Sequence, residues 1–139
     1  MAIHLKIVNA HDLIVMRWVG VIDDSHSADA LQTYATHPDA RPGQNILSDM
    51  TGITQGHFDL TKRLALQASL DRVLSTGEKP RTFVYYAPHK TAQRLASQYA
   101  RLWDATPLIK AHVVDDEAKA LQLLDLPTRN IGELADLPK

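Results

Sequence analysis

A chain of 139 residues, 45% hydrophobic and 22% charged, has the size and composition of one globular domain with a sizeable core. Its formal net charge of -1 supplies no overall field to gather nucleic acid or a membrane surface. The absence of cysteine excludes disulfides, thiol chemistry and cysteine metal sites, and suits a reducing cytoplasm.

The opening stretch MAIHLKIV carries one lysine and no long apolar core, so no signal peptide is expected there. Ile3, Leu5 and Ile7 alternate with His4 and Lys6, the period of a half-buried strand. The short, turn-like Asn9-Ala10-His11 leads into Leu13–Val19, apolar except for Arg17, which reads as a second strand. That connection is too short for a crossover, so the two strands are expected to run antiparallel. Asp23, Asp24 and Ser25 are N-cap candidates for a helix carrying Ala28, Leu31 and Ala35, which His37-Pro38 ends. After the loop Arg41-Pro42-Gly43, Ile46 and Leu47 form a short third strand ending at Ser48–Asp49. A compact turn at Thr51–Gly52 and a further loop then lead to Asp59.

Asp59 opens a helix expected to run to about Thr76, with Gly77 as its C-cap. Its apolar residues make two stripes, Leu60-Leu64-Ala68 and Leu66-Leu70-Val73-Leu74, wider than a single core-facing stripe. Thr82–Ala87 reads as a fourth strand. Lys90–Ala105 is an amphipathic helix with Ala92, Leu95, Ala96, Tyr99, Leu102 and Trp103 at the required spacing. Leu108–Val114 is a fifth strand, and Asp115 and Asp116 open a last helix stopped by Pro127. The expected architecture is an α/β domain over residues 1–127, with a single-layer mixed five-stranded sheet and about four helices, chiefly on one face. The first strand is its antiparallel edge, and residues 128–139 read as a loosely attached tail. No apolar run approaches the roughly 20 residues of a membrane span, so no integral membrane segment is expected.

That element order, with Asp49-Met50-Thr51-Gly52-Ile53-Thr54 after the third strand, resembles the STAS domains (sulfate transporter and anti-sigma-factor antagonist), which show Asp-Leu-Ser-Gly-Val-Thr at this place. The chain length and the segments Arg81–Trp103 and Val113–Leu124 look more like the small stand-alone SpoIIAA-like proteins of bacteria. The resemblance implies a non-catalytic, cytoplasmic binding or regulatory module that works on a protein partner or small ligand. In phosphorylated antagonists the motif runs on to Asp-Ser-Ser/Thr-Gly at the second helix start, where a hydroxyl takes the phosphate. Here His57-Phe58-Asp59-Leu60 fills that stretch, and the acceptor position falls on Asp59. A carboxylate forms no stable phosphoserine-like ester, so no phospho-acceptor is expected. Asp59 either mimics a permanent negative charge or caps the helix.

A strand end, an exposed loop and a helix N-terminus in that order make a natural binding site, because helix-start amides point outward unsatisfied. The candidate binding residues are Asp49, Thr51, Gly52, His57, Phe58 and Asp59. The second reading is an apolar small-molecule or lipid carrier, with the two-stripe helix as one wall of a cleft. The third is a small hydrolase or isomerase in which His57, near Asp49, serves as general base. Against both chemistries stand ordinary local roles: Asp49 and Thr51 holding a turn, Asp59 capping a helix, Phe58 stapling its first turn. No catalytic residue and no cofactor is assigned, since the phosphate-loop, dinucleotide, nucleophile-elbow and zincin signatures are all missing. The histidines lack metal-ligand spacing, so no metal is expected. His89 reads as a helix-start cap, Lys90, Arg94 and Arg101 as a solvated face, and the few aromatics as core, which argues against a nucleic-acid platform. Surplus apolar surface on the Asp59–Thr76 helix, with Ile131, Leu134 and Leu137, points to a homodimer.

Overall fold

A computed structural model describes residues 2–75 and 78–136. The expected Gly77 cap and Leu137 lie outside the described residues. Five strands form one mixed sheet in the order of the chain: β1 (Ile3–Val8), β2 (Leu13–Ile22), β3 (Asn45–Gly56), β4 (Arg81–Tyr86) and β5 (Ile109–Val114). β1 and β2 pair antiparallel across a 3-10 turn at Asn9–His11, with Asp12 left-handed at φ 48°. The other neighbouring pairs are parallel, and each parallel step is bridged by a helix: α1 (Asp24–Ala35), α2 (Leu60–Leu74) and α3 (Lys90–Leu102). α4 (Glu117–Leu123) follows β5. Among the described residues no helix is long and apolar enough to cross a membrane.

The sheet has a core on each face. The larger packs Ile14, Met16, Trp18, Ile46 and Met50 against α1, α2 and α3. The smaller packs Val8, Leu13, Leu47 and Val84 against α4 and the segment after it. That segment departs from the loose tail expected: a 3-10 stretch, Ile131–Asp136, buries Ile131 and Leu134. Lys6 Nζ donates to the Leu134 carbonyl at 3.2 Å, and Ile131 N donates to Glu117 Oε1. Two apolar side chains and these bonds fasten it to β1 and to α4.

β3 is the second departure. It does not end at Ser48–Asp49; it runs twelve residues to Gly56. β2 likewise runs on to Ile22 and offers a partner throughout, with Gly56 opposite Ile22. The register shifts twice, between Arg17 and Val19 and between Gly20 and Val21, so the residues that read as a turn are bulges in a ladder. Gly52 is required by close approach, since a Cβ there would stand 3.0 Å from the Trp18 carbonyl oxygen. β4 pairs only with Ile46–Asp49, so the ends of β2 and β3 reach past the rest of the sheet.

Candidate functional site

The residues between β3 and α2 reduce to His57, Phe58 and Asp59, and they line a hollow of about 660 Å³. It opens at the carboxyl ends of β2 and β3, where α1 and α2 both start, the usual place for a ligand in an open α/β sheet. Asp23, Asp24 and Ser25 come from the start of α1, Lys62 from α2, and Arg94 and Gln98 from α3. The walls are therefore polar and carry both signs of charge.

Both helix starts are closed by their own side chains. The Asp23 carboxylate accepts from Ser25 N and His26 N, while His26 Nδ1 accepts from Asp23 N, a reciprocal capping box. The Ser25 hydroxyl, donating at 2.6 Å, is the chief cause that holds the Asp23 carboxyl below the usual carboxylate range. Asp59 caps α2, accepting from Lys62 N at 3.1 Å. Asp24 ties the two starts together: buried in the first turn of α1, its Oδ2 accepts from Asp59 N at 2.8 Å. Its Oδ1 is buried without a hydrogen-bond partner.

Phe58 is half-buried and meets Tyr99 edge-on, with ring centroids 5.4 Å apart. It stands one residue before the cap, as a hydrophobic staple would. The residue four on from the cap is Arg63, however, not an apolar partner for a staple, and the ring that Phe58 meets belongs to α3. His57 is exposed, and its backbone N continues the ladder by donating to the Ile22 carbonyl at 2.8 Å.

Asp49 and Thr51 do not join this hollow. Thr51 N and Oγ1 both donate to Asp49 Oδ1, at 3.1 and 2.6 Å, so the pair braces the first bulge. Asp49 lines a separate hollow of about 190 Å³ with Lys6, Arg17, Ile131 and Leu134. As a strand at roughly 3.3 Å per residue, the chain from Asp49 to His57 carries the two apart rather than folding them together. The Thr51 carbonyl takes a 3.1 Å bond from His89 Nε2, while His89 Nδ1 accepts from Ala92 N at the start of α3. The family-like motif is thus a joint between β3 and α3, and His89 is a cap. Gly52 sits in the bulge, away from the hollow's lining.

Sequence reading missed Asp24, Lys62 and Gln98 as neighbours of His57. The adjacent acids Asp23 and Asp24 were legible as caps, but their meeting with Asp59 depends on β2 and β3 lying side by side. Among the described residues, no group of three or more His, Cys, Asp or Glu is placed to hold a metal ion. No protein-family model matches the chain, and no curated protein matches it.

Proposed function

We propose that this chain is a non-catalytic STAS-like binding or regulatory module, acting in the cytoplasm, whose ligand or partner contacts the crevice formed by His57, Phe58 and Asp59 with Lys62 and Arg94. The crevice itself carries the reading: about 660 Å³ of open space at the strand ends, within the range of ligand sites. Because Asp23 and Asp59 already satisfy helix-start amides, recognition falls to side chains of mixed charge. That composition favours a polar ligand or a charged segment of a partner. It weighs against a lipid carrier, as does the small size of the hollow beside Tyr34 and Val73, about 190 Å³. The hydrolase reading loses support because His57 and Asp49 line different hollows.

Recovery from a native lysate, quantified by mass spectrometry, tests the proposal. A chain with His57→Ala and Arg94→Glu should keep its stability within about 1 kcal/mol, since both residues are exposed. Its recovery of whatever the unaltered chain captures should fall at least tenfold. Equal recovery by the two chains would remove the crevice from recognition.

The assembly proposed with it is a two-fold dimer through α2. Leu60 and Leu64 are 53% and 55% exposed, and Ala68 continues their stripe one turn on. The other stripe, with Leu70 and Leu74, faces the core. Ile131 and Leu134 are spent on the opposite face of the sheet, so the contact rests on α2 alone. Light scattering at micromolar concentration should give twice the 15.5 kDa chain mass; a single chain mass ends the idea.

A further inference from the structure

Arg17 is the one charged residue in the apolar run Leu13–Val19. In the sheet it stands on β2 between His4 of β1 and Asp49 of β3, its direct partners in the two ladders, so the three side chains share one face. That face carries the smaller core, opposite α1, α2 and α3. Arg17 is exposed, yet the carboxylate next to it is turned elsewhere. Asp49 Oδ1 accepts from Thr51 N and Thr51 Oγ1. Among the described residues the Arg17 guanidinium has no hydrogen bond and no ion pair.

Beside Arg17 the cover of the sheet is incomplete. The hollow of about 190 Å³ that Asp49 lines is bounded by β1, β2 and the Ile131–Asp136 segment. Val15, half-buried at the margin of the smaller core, lines it, and Ile131 and Leu134 form its wall. Those two are 5% and 1% exposed, so the wall is fixed by core packing and not by loose surface side chains. Lys6 stands at the same wall, donating to the Leu134 carbonyl and holding that segment against β1. The hollow therefore has an apolar body and a cation at its rim.

That combination narrows the occupant. Apolar walls favour a molecule that covers them over water, and a guanidinium presents a planar fork of donors that matches a carboxylate bond for bond. Size sets the next limit. About 150 Å³ is room enough for benzene, so about 190 Å³ takes one ring or a short alkyl chain with a carboxylate at the rim. A lipid tail or a folded peptide segment is too large. Asp49, beside Arg17 in the ladder, repels a second negative charge and so disfavours a phosphate dianion. We infer that this hollow binds a small monoanionic carboxylate with a compact apolar body, its carboxylate on Arg17 and its body against Val15, Ile131 and Leu134. The site lies on the other face of the sheet from the crevice and does not depend on it.

Titration calorimetry of the full chain at neutral pH tests this, with sodium benzoate, cyclohexanecarboxylate and butyrate as aromatic, alicyclic and aliphatic probes. At least one should bind saturably, one per chain, and the amide resonances of β1, β2 and Ile131–Asp136 should move with it. The neutral amide of the tightest probe, which keeps the body and loses the charge, should bind at least tenfold more weakly. Arg17→Gln should weaken the tightest probe at least tenfold. Its melting temperature should stay close to that of the unaltered chain, since Arg17 is exposed and gives up no bond. The chain with His57→Ala and Arg94→Glu should bind the probe as the unaltered chain does. No saturable binding of any of the three at millimolar concentration would overturn the inference. So would an amide as tight as its acid, undiminished affinity in Arg17→Gln, or resonance shifts and affinity losses that follow the crevice residues instead.

Discussion

Arg81→Met should cost about 3–5 kcal/mol of stability, more than any surface change in this chain. Arg81 opens β4 and is 3% exposed. Its Nε donates to the Leu74 carbonyl at 2.7 Å, at the end of α2, where helix carbonyls otherwise lack partners. One Nη donates to the Gln44 carbonyl at 2.8 Å and to the Tyr34 hydroxyl at 3.0 Å. The other reaches the Arg41 carbonyl at 3.4 Å, and the guanidinium lies 5.4 Å from the Tyr34 ring. One side chain therefore fastens the last turns of α1 and α2 and the loop before β3 to the sheet. Methionine would fill much of the stem's volume but give no donor. Each buried carbonyl left without its donor costs about 1–3 kcal/mol, and the Leu74 and Gln44 carbonyls would both be stranded. At roughly 3 °C per kcal/mol for a chain of this size, the melting temperature should fall by about 10 °C or more. Urea unfolding should show the loss with an unchanged slope. Arg41→Ala is the control: its pair with Asp12 is half or more exposed on both sides and should contribute less than about 1 kcal/mol. A comparable loss in the two variants would refute the special standing of Arg81.

Trp103→Ala should destabilise by a similar amount, about 3–5 kcal/mol, for a different reason. Trp103 caps α3 and is 1% exposed. Its ring lies 5.8 Å from Phe83, which is itself stacked on Tyr85 at 4.5 Å. Truncation opens a cavity in the larger core and removes the donor to the Tyr85 hydroxyl. Trp103→Phe retains most of the volume, and its loss should be well under half as great. Calorimetry on the two variants separates cavity from hydrogen bond. Equal losses would mean that the bond to Tyr85, not the volume, matters here.

The element order was legible because each segment carries its own local signal. α3 shows its apolar face at helical spacing, and Asp23, Asp59 and Asp116 each accept a helix-start amide where capping residues were expected. β3 was misread because Thr51-Gly52 has turn chemistry, and a bulge uses the same residue types. What decides between them is whether a partner strand continues alongside, which is a property of β2 and not of β3. The crevice was half legible for the same reason. His57, Phe58 and Asp59 are consecutive and were seen together. Asp24 reaches Asp59 N across 35 residues, and Arg94 arrives from α3, so only the assembled sheet brings them together. Arg63 carries no local signal of its burial, because nothing near it in sequence marks a cation that will be enclosed by rings from the far end of α3.

The fastening of Ile131 and Leu134 has a temporal side. Lys6 and the Leu134 carbonyl that it meets are 128 residues apart. β1 leaves the ribosome well before the segment that covers the far face of its strand pair. Three helices can settle on one side of the sheet while Val8, Leu13 and Leu47 on the other still await their cover. During synthesis the second core cannot be completed until the residues beyond Pro127 have been made, whatever the state of the first.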